Sequence, residues 1–271
     1  MLERLAAELR SLEVRPGMTL LVHASLRSMR TVPGAAEAVL TALRAVLGPG
    51  GTVVVPSFTA ENSDTSPHYR ERTRGMSAGQ LARYRDAMPP FDPAHTPAPA
   101  MGALAEAVRR APGAVRSTHP QTSFAAVGAR AAELLADHDG TCHLGERSPL
   151  ARLYDAGASV LMIGVGYDVC SSFHLSEYRI PDPPRRMYRC VVLRDGERRW
   201  TSYEDVDLDD RDFEELGMAF EKSGLTRPPY PEAVLHGKVG GAASVLLRIK
   251  EAVDFGSVWL TENRRCGGAR P

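Results

Sequence analysis

Apolar residues along this chain follow two patterns. Short unbroken runs, TLLVH at 19–23, TVVVP at 52–56 and VLMI at 160–163, have the length of buried strands. A strand covered on both faces needs no polar alternation. Elsewhere apolar residues recur at helical spacing. Leu2, Leu5, Leu9 and Leu12 share one face of a helix over 2–12, and a second helix covers 35–47 until Gly48-Pro49-Gly50-Gly51 stops it. Further helices are predicted near 77–88, 101–110, 129–136, 149–155, 213–222 and 242–254, with another strand at 123–127. The helix at 35–47 is long enough to cross between parallel strands. Runs at 189–193 and 198–203 flank Asp195-Gly196, a pair suited to a tight hairpin turn. The pattern predicts an α/β fold over a single domain, 1–271. Its centre is a mixed, mainly parallel sheet flanked by helices, and a C-terminal antiparallel hairpin follows. Residues 57–99 are long, polar and proline-rich, the signature of a substrate or lid loop.

The strand at 160–163 ends in Gly164-Val165-Gly166, then delivers Cys170-Ser171-Ser172 and His174. Strand carboxyl ends in α/β proteins open into crevices, so this stretch is the leading site candidate. Composition narrows the picture. Of 271 residues, 43% are hydrophobic and 24% charged, and the formal net charge is +0, which gives no general reason to bind nucleic acid or an anionic membrane surface. No apolar run approaches the roughly 18 residues that span a bilayer. The first residues, MLERLAAELRSLEV, carry charges at helical spacing and do not read as a signal peptide. Cys142, Cys170, Cys190 and Cys266 lie far apart, which predicts a reduced, cytoplasmic protein.

Several segments, in order, resemble the aminoglycoside 3-N-acetyltransferase (antibiotic N-acetyltransferase) family. They are LLVHASLRSMRTV at 20–32 with LGPGGTVVVPSF at 47–58, then PPFDPAHTPAPAMGALAEAVRRAPGAVRSTHPQTSFAAVGARA at 89–131. LGERSPLARLYDAGASVLMIGVGYDVCSSFHLSEYR at 144–179 and HGKVGGAASVLLRIKEAVDFGSVWL at 236–260 complete the set. The resemblance implies the family's own α/β/α fold. It also implies transfer of an acetyl group from acetyl-coenzyme A, as co-substrate and without a metal, to a small-molecule amine. A monomer or homodimer is expected. The chain departs from the family pattern at Arg30-Thr31-Val32-Pro33-Gly34-Ala35, where Pro33 and Ala35 stiffen the loop, and at Tyr167, Val169, Cys170 and Phe173.

The chemistry needs a group to take a proton from an ammonium, and histidine titrates in the right range. His174 stands where the family has its catalytic histidine. A carboxylate on the second ring nitrogen orients such a base. Glu177 is close enough in sequence, but Glu204 matches the family's acidic partner better and is the expected choice, ahead of Asp205 and Asp207. A cationic acceptor is expected to meet carboxylates: Glu61, Asp64, Glu146, Asp168, Asp205 and Asp207, with Tyr167 beside them. Glu146 has the alternative of capping the helix at Pro149. The loop at 27–34 precedes a helix, so its backbone N–H groups suit phosphate. The expected coenzyme A residues are Ser25, Arg27, Ser28, Thr31, Val32, Gly34, Arg116, Ser117, Ser123 and Phe124. Ser171 or Ser172, or backbone N–H groups, would steady an oxyanion. His119 is expected to be structural.

Three rival readings compete. One is a thioester acyltransferase on Cys170, which lies four residues from His174. A second is a metal-dependent hydrolase using His23, His68, His119, His143 and His174, which lack zinc-enzyme spacing. The third is a non-catalytic acyl-coenzyme A binder.

Overall fold

The structure, a computed structural model, describes residues 1–29, 34–223 and 233–265. Helix α1 (Leu2–Ser11) leads into strand β1 (Thr19–Ala24), helix α2 (Ala35–Leu47) and strand β2 (Thr52–Pro56). The following excursion carries α3 (Pro67–Arg72) and α4 (Ala78–Ala87), the latter started by a reciprocal capping box between Ser77 and Gln80. Next come α5 (Ala103–Arg109), β3 (Val115–Arg116), β4 (Phe124–Gly128), α6 (Ala131–Leu135), α7 (Pro149–Asp155) and β5 (Ser159–Ile163). Helix α8 (Phe173–Arg179) precedes β6 (Arg185–Arg194), β7 (Glu197–Val206) and α9 (Phe213–Lys222). Strands β8 (Val234–Val239) and β9 (Ala242–Arg248) and helix α10 (Ile249–Arg265) complete the described chain.

Among the described residues one sheet has the order β3-β4-β2-β1-β5-β9-β8. Strands β2, β1 and β5 are mutually parallel and form its centre, while β3, β4, β9 and β8 join as antiparallel flanks. The expected mixed α/β sheet is present, with its parallel part confined to that centre. Alternate residues of each strand feed two apolar layers. Leu20, Val22, Val53 and Ile163 pack with α1, α2 and α5 on one face, and Leu21, Val54, Val160 and Met162 pack with α6 to α10 on the other. Burial on both faces explains why these strands read as unbroken apolar runs. No helix among the described residues is long and apolar enough to cross a membrane.

Strands β6 and β7 pair antiparallel as a separate ribbon. Asp195 (φ 55°) and Gly196 (φ 76°) make its turn, the left-handed pair the sequence calls for. The excursion at 57–99 is fastened to this ribbon. Ser63 bridges Cys190, Phe91 bridges Val192, and buried Asp64 pairs with both Arg189 and Arg85.

The expected helix at 242–254 is corrected. Residues Ala242–Arg248 form β9, which pairs with β5, and the helix begins at Ile249. Gly240 (φ 61°) and Gly241 (φ 85°) are the two-residue turn of a second hairpin.

Candidate active site

The carboxyl ends of the three parallel strands open into a cavity of about 800 Å³. Strand β1 contributes His23, Ala24 and Ser25, and β2 contributes Val55 and Pro56. The segment after β5 brings Val165, Asp168, Val169 and Ser171. The start of α5 forms the opposite wall, and Asp210 closes one side. Gly164 makes the exit from β5 possible. Its φ is 64°, and a Cβ there would lie 2.5 Å from the Cβ of Ser28, whose Oγ donates to the Gly164 carbonyl at 3.0 Å.

Helix α8 places His174 on the cavity wall. Phe173 and Leu175 are fully buried in the core and fix the rotation of this short helix. The imidazole leans on Phe213, with ring centroids 4.8 Å apart. Its Nδ1 lies 2.6 Å from Oε2 of Glu177, one helical turn on. The Glu177 side chain is 1% exposed and that of His174 14%. The other carboxylate oxygen, Oε1, accepts from the Asp209 backbone N–H at 2.9 Å and from Nη1 of Arg264 at 2.6 Å. These donors replace the water that burial takes from the carboxylate oxygens. With Nδ1 engaged, Nε2 is the ring nitrogen left for the cavity.

This corrects the expected partner. Glu204 lies on β7, where alternation turns Tyr203 and Asp205 inward and Glu204 outward. Its side chain is 59% exposed and pairs with Arg185 at 3.4 Å. Asp207 is likewise on the outside, paired with Arg186 at 3.0 Å. Neither lines the cavity.

A second imidazole faces the same space. His23 is buried at the end of β1, and its Nε2 has no hydrogen-bond partner among the described residues. Burial, and then the charge of His174, push its pKa down to about 4. The cavity therefore holds one histidine bonded to a carboxylate and one kept neutral. Sequence reasoning assigned Ser25 to coenzyme A and named His23, two residues earlier, only within the rival metal-hydrolase reading, although both sit at the end of one strand. It passed over Asp210 within the acidic run, and Arg264.

The residues expected at coenzyme A divide. Ser25 lines the cavity. Arg27 lines both the cavity and an adjoining groove of about 790 Å³, whose other walls include Gly34, Thr41, Arg44 and Arg110. Gly34 (φ 75°) starts α2 without a side-chain cap, so the first N–H groups of that helix are available to a ligand. Ser28 bonds Gly164 instead of lining the space. Thr31 and Val32 lie outside the described residues.

Arg116, Ser117, Ser123 and Phe124 are corrected. They belong to the β3–β4 edge, away from the cavity. The Arg116 guanidinium bonds Ser123 Oγ at 2.9 Å, the Ser57 carbonyl at 2.7 Å and the Thr96 carbonyl, and burial lowers its pKa to about 10. Ser117 Oγ is 3.0 Å from His138 and accepts from the Phe124 N–H, while Phe124 is fully buried edge-on to Phe58.

The acceptor candidates divide too. Asp168 lines the cavity and is exposed. Tyr167 turns into the core, where its hydroxyl donates to Glu221 at 2.6 Å. Asp64 is held between two arginines under the ribbon, and Asp205 is buried against His143. Glu146 pairs with Arg179 at 2.7 Å. Ser148, rather than Glu146, caps α7. Glu61 accepts from the Ala60 N–H at 3.1 Å. None of these five lines the cavity. His119, expected to be structural, is fully buried and does not line the cavity; its Nδ1 accepts from the N–H groups of Gln121 and Thr122.

Fold and cavity together define an α/β protein with two histidines, His23 and His174, in a cavity at its parallel strand ends. A model described as aminoglycoside 3-N-acetyltransferase matches residues 21–261. The chain belongs to the aminoglycoside 3-N-acetyltransferase family. It is 35% identical over 266 residues to the SPbeta prophage-derived aminoglycoside N(3')-acetyltransferase-like protein YokD of Bacillus subtilis (strain 168), covering 96% of this chain and 92% of YokD. The YokD crystal structure superposes with a TM-score of 0.88 at 33% identity, covering 98% of this chain and 95% of that one. Aminoglycoside N(3)-acetyltransferase VII of Streptomyces paromomycinus is 36% identical over 275 residues, covering 96% and 91%. A structure described as AAC-IIIb binary with CoASH has a TM-score of 0.79 and 30% identity, covering 100% of this chain and 99% of that one.

Proposed function

We propose that this enzyme transfers the acetyl group of acetyl-coenzyme A to a primary amine, the 3-amino group of an aminoglycoside or of a related amine-bearing natural product. The observation that carries the reading is His174, with Nδ1 held by buried Glu177 and Nε2 left for an open cavity. The names of the relatives support the aminoglycoside acceptor, and the CoASH-bound neighbour supports the donor. Acetyl-coenzyme A supplies the activated thioester. The groove bearing Arg27, Arg44, Arg110 and the start of α2 suits its phosphates, and the groove meets the cavity at Leu26, Arg27 and Ala103.

In this mechanism His174 takes the ammonium proton and Glu177 stabilises the imidazolium. The nitrogen–carbon bond forms, the carbon–sulfur bond breaks, the proton at Nε2 passes to the leaving sulfur, and the nitrogen releases its second proton to solvent as the neutral amide forms. Asp168 and Asp210 draw the cationic acceptor to the cavity wall. Ser171, which lines the cavity, is the side chain placed to steady the oxyanion, whereas Ser172 is fully buried beside Cys170.

A thioester on Cys170 finds no support. Cys170 is fully buried, does not line the cavity, and burial pushes its thiol up to about 11. Cys170→Ser should therefore keep near-normal turnover.

Coenzyme A release should be measured with a panel of aminoglycosides and other primary amines. Turnover that vanishes in His174→Asn supports the reading. It should also fall on the acid side, because a protonated imidazole accepts no proton. A panel in which no amine elicits thiol release would favour the non-catalytic binder.

A further inference from the structure

The carboxylate behind His174 is itself held from the far end of the chain. Arg264, in the last turn of α10, reaches Glu177 across 87 residues of sequence. Its Nη1 donates to Glu177 Oε1 at 2.6 Å. Its Nε and Nη2 donate to the two oxygens of Asp212 at 2.8 and 2.7 Å, and Nη2 also donates to the Asp209 carbonyl at 2.6 Å. The guanidinium thus joins three elements: α8, which carries the base; the turn at 209–212, which carries Asp210 to the cavity wall; and α10.

We propose that Arg264 is a positioning residue that sets the protonation behaviour of the His174–Glu177 pair. The physical reason is charge. Glu177 is almost fully buried, and its two oxygens face a histidine on one side and Arg264 on the other. The guanidinium stabilises the ionised carboxylate and turns Oε2 toward Nδ1. His174 and Glu177 share a 2.6 Å hydrogen bond, so they take up a proton as a unit. That unit is anionic before uptake and neutral after it, wherever the proton resides. Removing a nearby cation therefore makes uptake easier and moves it to higher pH.

The other charged groups around the pair are on view. Asp209, Asp210, Arg211 and Asp212 belong to the turn before α9. Asp209 is itself bonded by Arg211 at 2.6 Å, so its charge is largely matched. His23 faces His174 from β1, and His143 approaches from the loop before α7. Burial pushes His23 down to about 4 and, as the leading cause, lowers His143 from its ordinary value. Asp168 lines the cavity beyond the ring. Arg264 is thus the cation bonded directly to the pair, with Asp212 as its counter-ion.

The inference makes two opposite predictions. Arg264→Met should move the acid limb of the kcat/KM profile up by about one pH unit, the low end for loss of an adjacent opposite charge. Asp212→Asn leaves the arginine without its other anion and should move the limb down by a smaller amount. Arg264→Lys should restore much of the wild-type position. The acid limb rests on the acetyltransfer reading, so the same three variants should also be titrated by NMR. The His174 ring signal, assigned by its loss in His174→Asn, reports protonation whether or not any amine is acetylated. If turnover is absent but the His174 titration shifts as stated, only the functional reading fails. A midpoint that stays fixed, or falls, in folded Arg264→Met overturns the inference and leaves Arg264 as a fastener of α10. Should Arg264→Met not fold, an Asp212→Asn midpoint that is unmoved or raised overturns it equally.

Discussion

Among the imidazole–carboxylate pairs of the described residues, the two most buried have nearly the same geometry and opposite surroundings. In the cavity, His174 Nδ1 lies 2.6 Å from Glu177. Under the β6–β7 ribbon, His143 Nδ1 lies 2.9 Å from Asp205, which also accepts from the His143 N–H at 2.7 Å and the Tyr178 hydroxyl at 2.6 Å. The second pair is sealed: its side chains are 3% and 4% exposed. His143 packs on Tyr188 and His119, and its Nε2 meets the Tyr203 hydroxyl at 3.2 Å. The first pair leaves Nε2 for a cavity. A carboxylate fixes an imidazole's orientation in both places, but chemistry needs a free ring nitrogen and a space for substrate. On the proposed function, the same motif serves as a base in one region and as a structural knot in the other.

The sharpest way to break this contrast is to remove each histidine. His174→Asn should lower kcat/KM by roughly 10²–10⁴-fold, the usual contribution of a general base. Its unfolding temperature should change little, because the ring is at the cavity wall. His143→Asn should do the reverse, lowering the unfolding temperature while the folded fraction turns over normally. A loss of turnover in His143→Asn at unchanged unfolding temperature would place the sealed pair in the chemistry after all.

Next in size are the carboxylates. Glu177→Gln should cost about 10²-fold or more in kcat/KM, since the imidazolium loses its counter-charge and the ring its fixed tautomer. Asp205→Asn should instead destabilise the fold by about 2–3 kcal/mol, the scale of a hydrogen bond to a buried charge. Chemical denaturation and steady-state kinetics on both variants separate the two effects. Equal losses of rate in both would erase the distinction drawn from burial.

A third test uses pH. Burial, as the leading cause, holds His119 well below the ordinary imidazole value, His138 at about 4 and His143 below its usual range. Their folded pKa values lie below their unfolded ones, so the unfolded chain binds more protons between about 4 and 6.5. Stability from these groups is complete above about pH 6.5 and is lost as pH falls toward 4. The slope should approach about 1.4 kcal/mol per pH unit for each imidazole that stays neutral. Urea midpoints at pH 7.5, 6 and 5 would show it. A flat profile across that range would mean that the sealed cluster takes up protons without unfolding.

How much of this was legible beforehand depends on range. The strands β1, β2 and β5 announce themselves because burial on both faces leaves only apolar residues, and Asp195-Gly196 announces its turn because few residues adopt a positive φ. The residues of β9 were misread as helix, since Ala242–Arg248 alternates too weakly to separate from a helical pattern. His174 was legible from the strand end that delivers it, and its place on the cavity wall follows. The coenzyme A expectations on Arg116, Ser117, Ser123 and Phe124 failed because polar residues near a strand end serve the backbone as readily as a ligand. Arg264 was beyond reach, since only tertiary packing brings α10 to α8.

The choice between Glu177 and Glu204 tests that lesson at its finest grain, and it carries the smallest expected effect. Glu204 and Asp205 are neighbours on β7, so the pleat sends them to opposite sides. Asp205 enters the sealed cluster, while Glu204 meets only solvent and Arg185. An exposed pair of this kind contributes about 0–1 kcal/mol. Glu204→Gln should therefore shift stability by no more than about 0.5 kcal/mol, as for other surface substitutions, and leave kcat/KM and its acid limb in place. The comparison is demanding because Asp205→Asn, one residue away, should cost several times more in stability. A rate loss in Glu204→Gln that matched Glu177→Gln would mean that β7 turns over when substrate binds, bringing Glu204 inward to replace the shorter local bond. Absent that, the partner of His174 is set by the helix that carries it, and a spacing of three residues outweighs the resemblance that pointed to the ribbon.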